Sequence, residues 1–309
     1  MGIGGNVSAM TVLAGNSGER TVPFGSNSMQ HGTAVFDGIR CYKVPGGSAA
    51  FRLDDHLTRL LDSADAMGIV HEYTLPDLRA DVLRAAERSG LADAYVRPVL
   101  FTPEPRLGVG LHSFRFSLGI EIWPAADEPA AAVRLTISPW RRIGRSAFPV
   151  GAKATGVYAL AALAKTKAVA DGFDDAVQLD PDSGWVTEAT IANVFLVMDG
   201  TVITPWRTDS LLPGITRDTV LALAKQLGHP TVEGPVEPAQ LFAADEVFLT
   251  GTAIGLLPVA TLDRHAYPPE RPVFTALEEA YRAMACGSSP ALPGWLTPVS
   301  KRTASSASS

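Results

Sequence analysis

The stretch Phe148-Pro-Val-Gly-Ala-Lys-Ala-Thr-Gly-Val-Tyr158 carries one charge, Lys153, among small and apolar residues. An ammonium that loses its hydration shell is disfavoured, and the amine so released can attack an aldehyde and form a Schiff base. The plainer reading is a solvated lysine ahead of a helix that starts near Gly156, because lysines are rarely fully buried. Three further motifs follow in order: Trp185-Val-Thr-Glu188, Leu212-Pro-Gly-Ile-Thr-Arg217 and Thr250-Gly-Thr-Ala253.

Composition narrows the classes. With 309 residues the chain can bury one large core or two smaller ones, and domains of ~100–200 residues favour two. Hydrophobic residues at 46% and charged residues at 19% describe a globular enzyme, and no run reaches the ~20 apolar residues of a membrane span. A net charge of −6 without a Lys/Arg block argues against a nucleic-acid face. The two cysteines, Cys41 and Cys286, form no CxxC, and the N-terminus lacks a basic n-region with a continuous apolar h-region. A reducing, cytoplasmic setting is expected. Met1-Gly-Ile-Gly-Gly-Asn6 puts Asn where a myristoylation signal needs Ser or Thr. The six histidines lack ligand spacing, so no metal site is expected.

Along the chain, residues 1–28 are rich in Gly, Ser and Asn and read as an arm or edge segment. Ala34–Phe36 and Ile39–Tyr42 read as a β hairpin. Helices are expected over about 54–67, with Leu57, Leu60, Leu61 and Ala64 on one face, and over about 76–89. Strands follow at Tyr95–Phe101 and Arg115–Ile122, which makes 1–124 a small domain of helices and strands. The Pro- and Ala-rich segment 125–132 reads as a linker. The second domain, 133–309, opens on the strand Val133–Ile137 and a helix over Tyr158–Ala170. Strands at 176–179, 185–188 and 193–198 come next, and Asp199-Gly200 reads as a two-residue type I′ turn. A helix over 217–227, a strand over 246–250 and a helix over 272–284 complete the domain, and 303–309 reads as a frayed tail.

The order and spacing from Lys153 to Thr250-Gly-Thr-Ala253, with His31-Gly-Thr-Ala-Val-Phe-Asp-Gly-Ile-Arg-Cys-Tyr42 and Ala94-Tyr-Val-Arg-Pro98 upstream, resemble the branched-chain aminotransferases among the fold-type IV pyridoxal-phosphate enzymes. The likeness runs from about Met29 to Trp295. It implies an α+β fold-type IV architecture, a small α/β domain and a larger β-rich domain with the cofactor site between them, in a homodimer or higher homo-oligomer. It implies pyridoxal 5′-phosphate as cofactor and small-molecule amino-acid and 2-oxo-acid substrates.

Pyridoxal phosphate requires an amine, an anion near its ring nitrogen and donors for its phosphate. Lys153 resembles the family's catalytic Schiff-base lysine, whose freed amine can then shuttle a proton. Glu188 resembles the acid opposite the ring nitrogen, where a carboxylate keeps the ring protonated and a stronger electron sink; an exposed strand glutamate is the bland alternative. Tyr158 resembles the tyrosine at the phenolic oxygen, or is an ordinary helix aromatic. Ile215 and Thr216 would offer amides at a helix N-terminus to the phosphate, although Pro-Gly before a helix is a common turn. Thr252 resembles a second phosphate ligand, with the Thr252 and Ala253 amides at the substrate α-carboxylate. Arg59 resembles a phosphate-facing arginine, or is a surface residue off the helix's apolar face.

On the substrate side, Phe36 and Gly38 resemble pocket walls, Tyr95 the hydroxyl near the α-carboxylate, and Arg97 the cation for the γ-carboxylate of glutamate or 2-oxoglutarate. Arg40 assists from the neighbouring strand or serves a structural ion pair. Two departures stand out: His31 where relatives have Tyr, and Gly156-Val157-Tyr158 where they have Gly-Asn-Tyr. The implied activity is transamination of an aliphatic, branched-chain-like L-amino acid with 2-oxoglutarate. The alternatives are an aminodeoxychorismate-lyase-like or D-amino-acid transaminase reaction on the same fold, and a non-catalytic cofactor-binding protein.

Overall fold

The computed structural model describes residues 10–13, 22–125, 131–206 and 210–299. The tail expected from residue 303 and most of the expected linker lie outside them. The chain divides into two compact units, Glu128–Arg282 and Gly2–Asp127 with Ala283–Ser309.

The unit formed by the chain's beginning and end contains strands β1 (Met10–Leu13), β2 (Val35–Phe36), β3 (Ile39–Val44), β4 (Gly47–Phe51), β5 (Ala94–Phe101) and β6 (Ser117–Pro124) and helices α1 (Asn27–His31), α2 (Leu53–Ala66) and α3 (Leu75–Ser89). Helix α2 buries Leu53, Leu57, Leu60 and Ala64, the i, i+4, i+7 stripe that faces a core. Helix α3 starts with a capping box: Thr74 Oγ1 accepts from Asp77 N and the Asp77 carboxylate accepts from Thr74 N. It stops at Gly90, whose φ of 68° suits glycine.

One expectation changes here. The hairpin read between residues 34–36 and 39–42 is not formed: β2 and β3 both pair antiparallel with β5, Val35 opposite Leu100 and Ile39 opposite Val96. The hairpin lies one strand later, between β3 and β4, turning at Pro45-Gly46 with Gly46 at φ 89°. The strand β4 was hidden because Gly-Ser-Ala-Ala-Phe has little β propensity of its own. The early segment read as an arm or edge segment holds β1, which pairs antiparallel with β6 at the sheet edge, in agreement with the second of those readings.

The second unit contains β7 (Val133–Ile137), α4 (Tyr158–Ala170), β8 (Asp175–Leu179), β9 (Val186–Ala189), β10 (Asn193–Met198), β11 (Thr201–Pro205), α5 (Ile215–Gln226), β12 (Thr231–Gly234), α6 (Pro238–Ala243), β13 (Glu246–Gly251), β14 (Gly255–Leu262), β15 (His265–Ala266) and α7, most of Pro272–Ala285. A final strand, β16 (Leu296–Val299), pairs antiparallel with β4 of the first unit's sheet. The expectation that 133–309 forms one domain is corrected by this pairing, which takes the chain's end back to the sheet of its beginning.

In the second unit the strands follow the order β10-β13-β14-β7-β8-β9, and β9 pairs back to β10 through Glu188 and Asn193, which closes a ring of six strands. Closure removes the free edge of β9, while β11 and β12 extend outward from β10 and leave β12 as an edge strand. The ring's core holds Leu135, Val177, Val186, Val194, Leu196, Leu249 and Val259, all buried. Phe195 and Phe248, opposite each other on β10 and β13, stack with centroids 5.1 Å apart. The expected type I′ turn is present, with φ of 48° at Asp199 and 74° at Gly200 between the paired Met198 and Thr201.

Candidate active site

Glu188 stands at the closing seam of the ring, paired with Asn193 on β10, and Asn193 is in turn opposite Thr250 on β13. The residue is 4% exposed, which rules out the exposed strand glutamate. A buried carboxylate needs partners. Oε1 is ion-paired with Arg142 Nη2, and Oε2 accepts from Asn193 Nδ2 at 3.1 Å and from the Leu212 amide at 3.2 Å. Asn193 Nδ2 also donates to Leu212 O at 3.0 Å.

These contacts dock the turn before α5 against the strand ends. Gly214 caps the helix, and a Cβ there would stand 1.9 Å from Asn193 Oδ1, so only glycine allows this approach. The helix starts two residues earlier than the sequence pattern indicates, which puts Ile215 and Thr216 in its first turn. First-turn amides lack intrahelical acceptors, and the helix dipole favours an anion there. The chain leaves β13 at Gly251 and re-enters β14 at Gly255, so Thr252 and Ala253 lie in a three-residue hairpin two positions beyond Thr250. Thr250 Oγ1 is buried with no hydrogen-bond partner among the described residues.

Lys153 lies just ahead of a single 3-10 turn, Thr155–Val157, that leads into α4. It is half-buried and donates from Nζ to Tyr158 Oη at 2.9 Å. Val157, the departure from the usual Asn, is buried.

In the other unit, cross-strand pairing puts Arg40 opposite Tyr95 and Tyr95 opposite Trp123, so the three share one face of the sheet with Arg97. The Arg97 guanidinium lies 5.0 Å from the Phe36 ring centroid, 5.3 Å from Trp123 and 5.5 Å from Tyr95. Its Nε is buried without a partner among the described residues, as are Nε and Nη2 of Arg40, which lies over the Tyr42 ring. Gly38 admits Tyr95: a Cβ at residue 38 would be 2.0 Å from the Tyr95 hydroxyl.

Asp37, fully buried, accepts from Arg59 Nε and Nη2 at 2.8 Å each, from the Gly38 amide at 2.7 Å, and bonds His56 Nδ1 at 2.7 Å. Burial pushes its carboxyl up, but the Arg59 charge and then His56 outweigh it and hold the group well below the usual carboxylate range. Arg59 is thereby not a plain surface arginine, its side chain being 12% exposed. His31 is exposed at the end of α1, with Nδ1 3.2 Å from Asn27 O.

Arg142, Trp123 and His56 join these clusters without having stood out in the sequence, whereas Asp37 lies inside the His31–Tyr42 motif and Asn193 inside Ala192-Asn-Val-Phe195, the run close behind Glu188 that favours its functional reading. Arg142 sits in Trp140-Arg-Arg-Ile-Gly-Arg145, outside every motif read in the sequence. The barrel unit fits pyridoxal phosphate: a buried, fixed carboxylate, first-turn helix amides beside a mandatory glycine, an orphaned hydroxyl at Thr250, and a half-buried amine on a tyrosine.

The chain belongs to the class IV aminotransferases, pyridoxal-phosphate enzymes of fold type IV: the model of that family, amino-transferase class IV, matches residues 34–262. Among them it is similar to branched-chain aminotransferases. The branched-chain-amino-acid aminotransferase of Salmonella typhimurium is 32% identical over 282 residues, 89% of this chain and 91% of that enzyme. The crystal structure of the branched-chain aminotransferase from Thermoproteus uzoniensis with norvaline aligns at a TM-score of 0.90 with 34% identity, covering 95% of this chain and 100% of that one. A third relative, the T.th. branched-chain amino acid aminotransferase, solved with N-(5'-phosphopyridoxyl)-L-glutamate and with 4-methylvaleric acid, aligns at 0.86 with 34% identity, covering 91% and 94%.

Proposed function

We propose that the protein moves an amino group between an aliphatic, branched-chain-like L-amino acid and 2-oxoglutarate, giving the 2-oxo acid and L-glutamate. The observation that carries the substrate assignment is Arg97, a cation enclosed by Phe36, Tyr95 and Trp123. Aromatic walls suit an aliphatic side chain, and a guanidinium with a buried free donor suits a γ-carboxylate, so one pocket serves both substrates in turn. The T.th. relative supports this reading, having been solved with a glutamate derivative and with an aliphatic acid.

Bound pyridoxal 5′-phosphate supplies the carbonyl that takes the amino group and the ring that accepts the electrons released at the substrate Cα. Lys153 would hold the cofactor through Nζ, and the same amine would serve as the proton carrier at the substrate Cα. Tyr158, within hydrogen-bond reach of that amine, orients it and the phenolic oxygen. Glu188 retains the ring nitrogen's proton. Ile215, Thr216 and Thr252 bind the phosphate, with Arg59 as the family's phosphate arginine; the Thr252 and Ala253 amides and the Tyr95 hydroxyl take the α-carboxylate. Phe36 and Gly38 shape the pocket wall, and Arg40 adds positive charge beside Arg97. The protein acts as a cytoplasmic homodimer or higher homo-oligomer.

The experiment mixes purified holoprotein with L-leucine and follows the cofactor band. The band falls with the amino acid and returns with 2-oxoglutarate; an unchanged band with either removes the transaminase reading. Borohydride treatment and peptide mapping should find the phosphopyridoxyl label on Lys153, and a label on Lys165 or Lys167 reassigns the amine.

A further inference from the structure

We propose that Asn193 is a positioning residue that locks the Glu188 carboxylate to the opening turn of α5, so that one side chain registers the ring-nitrogen end of the site against its phosphate end. The inference rests on the reading of Glu188 and of the Ile215 and Thr216 amides given above. Pyridoxal phosphate joins those two ends through a planar ring and a short methylene ester, so groups that meet both must lie within a limited span and be held to ~0.5 Å for a productive site. Glu188 belongs to β9 and the phosphate amides to α5, separate elements with β10 and β11 between them in the chain.

Asn193 joins them. Its Nδ2 reaches Glu188 Oε2 at 3.1 Å and Leu212 O at 3.0 Å, and the Leu212 amide returns to the same Oε2 at 3.2 Å, closing a three-membered cycle of hydrogen bonds. The opposite edge of the amide, Oδ1, rests on Gly214, where a Cβ would be 1.9 Å away. The side chain is 6% exposed, and its backbone is pinned at the barrel seam between Glu188 and Thr250. Arg142 secures the other carboxylate oxygen, so Asn193 and Leu212 remove the last freedom of Glu188. An amide is the side chain that suits this position: an Asp would set a carboxylate oxygen against both Oε2 and Leu212 O, and Ala would offer no donor.

The test loads apoprotein with ring-15N pyridoxal phosphate and reads the ring-nitrogen chemical shift, together with dissociation constants for pyridoxal phosphate and for unphosphorylated pyridoxal. Glu188→Gln should move the ring resonance toward the unprotonated value and weaken both ligands alike. Asn193→Ala should move it in the same direction and, because the phosphate end is loosened too, weaken pyridoxal phosphate on the order of tenfold more than pyridoxal. Gly214→Ala keeps Asn193 but wedges its amide, and should move the ring resonance from a residue placed at the phosphate turn. If Asn193→Ala and Gly214→Ala both keep the wild-type shift and affinity ratio while Glu188→Gln moves the shift, the proposal is overturned. If Glu188→Gln itself leaves the resonance in place, the Glu188 reading fails instead. Should Asn193→Ala not fold, Gly214→Ala decides alone, an unmoved resonance counting against the proposal.

Discussion

Gly38, in the link between β2 and β3, approaches Tyr95 of β5 so closely that a methyl group on residue 38 would lie 2.0 Å from Tyr95 Oη, 2.6 Å from Cζ and 2.9 Å from Cε2. The ring has little room to retreat, because Trp123 lies 6.1 Å from its centroid and the Arg97 guanidinium covers its face. Gly38→Ala should therefore displace the Tyr95 hydroxyl, destabilise the fold by ~1–3 kcal/mol as overpacking does, and raise KM for amino acids more than it lowers kcat. Thermal unfolding with steady-state kinetics checks it; an unchanged KM would remove the Tyr95 hydroxyl from carboxylate binding.

Glu188→Gln introduces a defect that its shape conceals. Both carboxylate oxygens face donors, Arg142 on one side and Asn193 with the Leu212 amide on the other, so whichever way the new amide turns its NH2 opposes a donor. An unsatisfied buried group of this kind costs ~1–3 kcal/mol. Stability should fall by about that amount, and half-reaction rates by orders of magnitude as the ring nitrogen loses its anion. Wild-type rates in stopped flow would show that Glu188 does not face the ring nitrogen.

The motifs carried much of this site and little of its support. Lys153, Glu188, the turn before α5 and the Gly251-Thr-Ala253 hairpin were legible because each pairs a distinctive residue with a turn or strand end. Arg142 was not, because it meets Glu188 from a loop 46 residues earlier, and Asn193 was legible only as part of the run behind Glu188, because its bond to Leu212 depends on where the turn before α5 docks. The same limit hid β4, β14 and β16: Gly-Ser-Ala-Ala-Phe, a strand carrying Pro258, and Leu-Thr-Pro-Val become strands only once a partner supplies the ladder. The helices α2 and α3 were read nearly to their ends, since apolar stripes and caps are written locally.

The two cysteines should differ sharply in reactivity. Cys41 is 1% exposed, and burial pushes its thiol up to about 12, the nearby Arg40 charge lowering it less than burial raises it. Only the thiolate reacts, so at pH 8 Cys41 stays inert in the folded protein while the half-buried Cys286 is modified. Titration with a disulfide reagent should count one thiol under native conditions and two after denaturation; two thiols reacting at similar rates in the native protein would contradict the burial of Cys41.

The dual character of the substrate pocket is tested at Arg97. Its guanidinium is ringed by Phe36, Trp123 and Tyr95, so Arg97→Leu replaces a cation by an aliphatic group inside an aromatic enclosure. The half-reaction with an aliphatic amino acid loses no hydrogen bond and should change little. That with glutamate or 2-oxoglutarate loses a charge-assisted hydrogen bond worth ~1.5–3 kcal/mol, which corresponds to about a ten- to hundredfold fall in its rate at limiting substrate. Loss of the cation–π contacts should lower stability by ~0.5–2 kcal/mol, readable as a shift in Tm and independent of the kinetic split. Stopped-flow rates for each half separate the readings. Equal losses on both sides would take Arg97 out of γ-carboxylate binding, and pyruvate released without glutamate being formed would point to a lyase, which has no second half-reaction for Arg97 to serve.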